Sequence, residues 1–173
     1  MKNKFIITVG LAGLMLGGTG FLVSTAQGAD NKPIAVEDAP GAVGKALAKV
    51  KPLTGPKAKT NAKYYLCLYS ASWCGPCRAE MPHVVKLYNE EIKKNPDIEL
   101  ILFSRDQNPA DAKKWISSSK AKFPVLAPKD QSKIPGAQSP NGIPHLYIID
   151  AEGNVIKNGH PSSLLSQYKT FCK

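Results

Sequence analysis

The chain has 173 residues, a formal net charge of +10 and 43% hydrophobic residues. That length fits one ordinary domain, and that apolar content excludes a disordered chain. The lysines are scattered, without the aromatic-interleaved stripe of a nucleic-acid groove, so the charge reads as solvated surface, with an acidic partner or membrane headgroups as the alternative.

At the start, Lys2 and Lys4 precede an uncharged run, FIITVGLAGLMLGGTGFLV, and then STAQGAD, whose small residues suit signal-peptidase cleavage. Residues 1–28 are therefore read as a signal peptide and the protein as exported. Phe5 to Val23 also approaches the roughly 20 residues of a membrane span, so a permanent anchor competes with this reading. The many glycines, the small residues around Ala26 and Gly28 and the lack of a basic stop-transfer cluster favour cleavage. Membrane contact is expected only through this segment, if it stays uncleaved.

Residues 29–60 hold Pro33, Pro40, Pro52 and Pro56 and read as a lead-in with one short helix over AVGKALAKV. The domain proper is expected over 61–173. It opens with KYYLCLYSA, uncharged after Lys63, the pattern of a strand buried on both faces. Then Met81, Val84, Val85, Tyr88 and Ile92 recur at helical spacing, with Pro82 inside the helix and a kink expected there. IELILFS predicts a second buried strand, and NPADAKKWISSS a helix capped by Asn108 with Pro109 in its first turn. The long crossover between the two strands implies that they are parallel.

In the second half FPVLA reads as a short strand and Pro128 to Gly142 as a loop. HLYIIDAEGNVIKNG predicts two strands joined by an AEGN turn. PSSLLSQYKTFC predicts one last helix, with Leu164, Leu165, Tyr168 and Phe171 on its inner face. There is no internal repeat.

Of the four cysteines, Cys67, Cys74, Cys77 and Cys172, only Cys74 and Cys77 are paired by spacing, in SASWCGPCRAEMP. A zinc site would want a second C-x-x-C or paired histidines, whereas His83, His145 and His160 are isolated. Haem attachment would need histidine where Arg78 stands. So short a loop also gains little as a static staple, because little chain entropy is removed by closing it. Exchange remains. At a strand-to-helix junction Cys74 sits at a helix N-terminus, whose free amides and dipole favour the thiolate that attacks disulfides. Cys77, one turn on, can resolve the mixed disulfide. Pro76 fixes the backbone between them, and Gly75 is expected to let the chain turn closely.

WCGPCRAEMP followed by GIPHLYIID resembles the thioredoxin-like superfamily over about residues 60–173. LYSASWCGPCRAEMPHVVKLYNE with IELILFSRDQNPADAKKW is similar to its tryparedoxin and nucleoredoxin branch, and RAEMP is similar to exported bacterial disulfide reductases. The resemblance implies an α/β thioredoxin fold, with a central mixed β-sheet flanked by helices. It makes Cys74 the nucleophile, Cys77 the resolving thiol, Trp73 an aromatic lid and Pro144 a cis proline facing the disulfide. It also implies that the backbone of Ile143 binds an extended substrate segment.

Two departures stand out. Where thioredoxins carry a buried aspartate this chain has Leu68, so proton handling falls to another group, with Glu80 the candidate and a plain surface helix residue the alternative. His145 stands where relatives usually have threonine; it reads as the start of a strand, or as a residue that meets substrate. Cys67 and Cys172 are read as one buried and one exposed free thiol, although a second bridge is conceivable.

The expected function is therefore that of an exported protein-disulfide reductase, in a bacterial periplasm by the relatives it resembles. No metal or organic cofactor is expected beyond the Cys74–Cys77 disulfide. The substrates would be disulfides in client proteins, and with no G-x-G-x-x-G motif the electrons would come from another dithiol protein. An oxidase or isomerase shares the chemistry. A chaperone, or a copper(I) carrier using both thiolates, is the reading of another class.

Overall fold

The computed structural model describes residues 39–173. The signal-segment reading lies outside the described residues.

Two uncharged or nearly uncharged heptads form the centre. β1 (Tyr64–Ser70) is buried at every residue after the first, and β2 (Ile98–Ser104) at every residue. They pair in parallel, Tyr64 opposite Ile98 through Ser70 opposite Ser104, and the crossover between them contains α2 (Gly75–Glu90). α3 (Pro109–Ser118) follows, its Asn108 carboxamide accepting the Ala110 amide, and leads to the two-residue β3 (Val125–Leu126), parallel to β2. β4 (His145–Asp150) lies antiparallel on the other side of β1, and β5 (Val155–Gly159) returns beside it from a turn through Gly153 at φ 93°. The sheet is mixed, in the order β3-β2-β1-β4-β5, with helices on both faces.

Alternation along β1 divides the core. Leu66 and Leu68 join Leu100, Leu102, Leu146 and Ile148 on one face, covered by Met81, Val84 and Tyr88 of α2 and by Ile116 of α3. Tyr65, Cys67 and Tyr69 join Ile101, Phe103 and Ile149 on the other, covered by Val43 and Leu47. Each such fully buried large side chain contributes about 1.5–3 kcal/mol against an exposed one. Cys172 packs against the first face and Cys67 against the second, so the conceivable second bridge does not form and both thiols are free. Cys172 is half-buried, not exposed as the sequence suggested.

Three further differences from the sequence reading have physical causes. The described part of the lead-in packs as part of the fold, which therefore begins before residue 61. α1 (Ala42–Ala48) buries Val43 and Leu47, and farther on the Leu53 amide donates to the Val125 carbonyl of β3 while the Thr54 carbonyl accepts the Val125 amide. The Lys59 ammonium donates to the carbonyls of Ile92, Asn95 and Ile98 at 2.7–2.8 Å, tying this segment to the end of the α2 crossover. The loop after Ala127 begins as a short helix, α4 (Pro128–Gln131), for which proline suits the first turn. The single C-terminal helix is two, α5 (Pro161–Leu165) and α6 (Tyr168–Phe171). Gln167, at φ −122° and ψ 7°, leaves the helical region between them, and the Ser166 hydroxyl donates to the Ser163 carbonyl. Through Pro82, by contrast, α2 runs unbroken.

Candidate active site

The C-terminal ends of β1 and β2 face the start of α2, and the site is built where these three meet. Chain leaving β1 at Ser70 is latched to β2 by the Arg105 amide, which donates to the Ser70 carbonyl at 2.8 Å. The decisive latch is Asp106. This carboxylate is only 2% exposed, yet it is fully engaged, accepting from the amide and hydroxyl of Ser72 and from the Ser104 hydroxyl. Two residues on from Ser72 comes Cys74, so Asp106 sets the path of the loop that presents it. Gln131 of α4 adds a bond from its carboxamide to the Ser104 carbonyl.

Cys74 is the N-cap of α2 and is disulfide-bonded to Cys77. Its Sγ accepts the Cys77 amide at 3.2 Å, the contact by which a helix N-terminus would hold the thiolate once the pair is reduced. The Ile143 carbonyl lies 3.7 Å from the same sulfur, within reach of a thiol donor in the reduced state. Of the two sulfur-bearing residues Cys74 is the more open, at 4% exposure, with Cys77 sealed behind it. Ala71, Trp115 and Ile143 pack around them.

The residues nominated by sequence divide as follows. Trp73 stands 64% exposed beside the disulfide, and the Ile143-Pro144 bond is cis. A cleft of about 490 Å³ joins Trp73 to Ile143 and Gly142, with Arg105 on its wall. Gly75 and Pro76 are exposed at the helix tip. Gly75 meets nothing that a Cβ would touch and has no positive φ, so the close turn expected of it is not required here. Glu80 lies on α2 with its carboxylate 3.2 Å from His83 Nδ1, an i,i+3 pair. His145 begins β4, packed against Tyr147 at 4.8 Å between ring centroids.

Sequence reasoning missed Asp106 and Trp115. The acid was visible in SRDQNP, but its burial depends on Ser72, 34 positions away. Trp115 was visible only as an apolar residue of α3.

The remaining thiols sit in contrary surroundings. Burial pushes Cys67 up to about 12 and Cys172 up to about 11, from an ordinary value of 9.0. Neither is a nucleophile near neutral pH. Among the described residues no three His, Cys, Asp or Glu side chains gather as metal ligands would.

Residues 49–158 match the model of the AhpC/TSA family. The chain is 28% identical over 160 residues to the thiol-disulfide oxidoreductase ResA of Bacillus cereus, covering 90% of this chain and 87% of ResA. It is 26% identical to Xenopus laevis nucleoredoxin over 60% of this chain and 28% of that protein. Among solved structures, the thioredoxin domain of a thiol-disulfide oxidoreductase from Bacteroides vulgatus superposes with a TM-score of 0.53 at 24% identity, over 65% of this chain and 81% of that one. That likeness identifies the fold as thioredoxin-like.

Proposed function

The chain belongs to the AhpC/TSA family, and from that premise we propose that it is an exported thiol-disulfide oxidoreductase that reduces disulfides in client proteins. The observation that carries this is the Cys74–Cys77 disulfide at the head of α2, its outer sulfur on the Cys77 amide and beside the exposed Trp73.

In the reduced protein the Cys74 thiolate attacks one sulfur of a client disulfide. A mixed disulfide forms, and the first client thiolate leaves and takes a proton from solvent. Cys77 gives up its proton, with Glu80 as acceptor, and its thiolate attacks the Cys74 sulfur. The internal disulfide closes and the second client thiolate departs, so two electrons have passed to the client. A dithiol protein then restores the reduced pair by the same exchange in reverse. Trp73, Gly75, Pro76 and the cis Ile143-Pro144 loop border the path along which an extended client segment reaches Cys74. Export rests on the character of residues 1–28.

The test is the reduction potential of the pair in thiol-disulfide buffers, followed by tryptophan fluorescence, with Cys67→Ala and Cys172→Ser in a parallel sample. A value near about −270 mV supports a reductase, whereas one near about −120 mV makes the protein a disulfide donor. The absence of any two-electron transition would remove exchange altogether.

A further inference from the structure

Beside the disulfide, between α2 and α3, runs a groove of about 670 Å³ that the exchange chemistry does not use. Its floor is apolar, made by Met81, Val85 and Trp115, and Trp115 also packs against the sulfur cluster. Its rim is cationic. Arg78, Lys86, Lys120 and Lys122 are all exposed, no carboxylate lines the groove, and none of the four is ion-paired among the described residues.

Lys120 adds an independent sign. It follows the C-terminus of α3 at φ 58°, the left-handed conformation that favours glycine. A lysine kept where glycine would be less strained suggests a use for its charge.

We propose that this groove docks an acidic polypeptide segment of a redox partner, with one apolar side chain on Trp115 and carboxylates against the four cations. An apolar floor inside a ring of one sign suits such a segment, since burial supplies affinity and the charges supply register and rapid encounter. Arg78, the residue after Cys77, lines the groove, so a segment seated there lies next to the site and can deliver its disulfide to it. The inference rests on the exchange reading for that last step; the docking itself does not.

The experiment uses the full chain and two synthetic disulfide peptides that share one phenylalanine, one Asp/Glu-rich and the other Lys-rich. Serine-for-cysteine copies of both read docking by fluorescence anisotropy, without exchange. The acidic peptide is expected to bind and react about tenfold better at low salt, with the margin closing at high salt. The double variant Lys86→Glu with Lys122→Glu should abolish or invert the preference while leaving the rate with neutral hydroxyethyl disulfide unchanged. Lys120→Gly should weaken docking yet raise Tm, a combination that no purely structural role of Lys120 would give. Equal binding of the two peptides, or a double variant that keeps the preference, overturns the proposal. So does a groove blind to peptide charge that instead holds anionic phospholipid vesicles through the same lysines. Docking of the acidic serine peptide without any exchange of hydroxyethyl disulfide would uphold the groove and refute the reductase.

Discussion

Cys74 and Cys67 belong to one stretch of chain, seven residues apart, and differ in almost everything that governs a thiol. Cys67 is in the middle of β1, sealed between Ile101 and Tyr147 as its strand neighbours, and burial alone lifts it to about 12. Cys74 has left the sheet and caps a helix, with an amide on its sulfur and an exposed tryptophan beside it. Low dielectric without a donor penalises a thiolate, whereas a helix N-terminus stabilises one. Reactivity in this protein is therefore a matter of where the strand stops. The Asp106 latch makes that stop specific, because it fixes the loop between Ser70 and Cys74 to the end of β2.

The largest effect that sharpens this contrast is Cys74→Ser, which should lower disulfide exchange at least about a hundredfold. Cys77→Ser should instead accumulate mixed disulfides, seen as thiol-sensitive adducts on non-reducing gels. Next is Asp106→Ala. It strands the Ser72 amide and two hydroxyls in a buried site, so a loss of about 2–4 kcal/mol in denaturant unfolding is expected, together with slower exchange. If stability falls but exchange holds, Asp106 does not position Cys74.

Cys67→Ser should cost about 1–3 kcal/mol, since a hydroxyl enters an apolar site, and should leave the exchange rate alone. The same thiol gives a pH dependence of known sign. Unfolded, it ionises near 9.0; folded, it holds its proton to about 12. Its stabilising contribution is thus complete below pH 9 and is lost as the pH rises from there towards 12. Unfolding midpoints across that range should fall less steeply in Cys67→Ala than in the parent, and parallel slopes would contradict the burial account. Smallest is Cys172→Ser, half-buried beside the last turn, with a change of less than about 1 kcal/mol and none in exchange.

Much of this was legible beforehand, and the reasons are particular. β1 announces itself as an uncharged heptad and β2 as one whose only charged residue is Glu99, α2 by the spacing of Met81, Val84 and Tyr88, α3 by Asn108 and Pro109 at its start. The Cys74–Cys77 pair is local in sequence and so was the junction that holds it. What escaped is what depends on distant partners. Segment 49–60, after the short helix, attaches through a few backbone bonds and one lysine reaching carbonyls 33 to 39 positions on, which leaves no periodicity to read. Asp106 looked like any polar residue after a strand until Ser72 came to meet it. The break at Gln167 is a backbone choice that helical spacing across Leu164, Leu165 and Tyr168 conceals.

The most direct test of the central claim is the pH profile of thiol alkylation in the fully reduced full chain, resolved by peptide mass spectrometry. The account requires Cys74 to react first, with a midpoint clearly below the ordinary thiol value of 9.0, while Cys67 stays unmodified in the folded protein. A Cys74 midpoint at or above that value, or alkylation of Cys67 or Cys172 at a comparable rate, would contradict it.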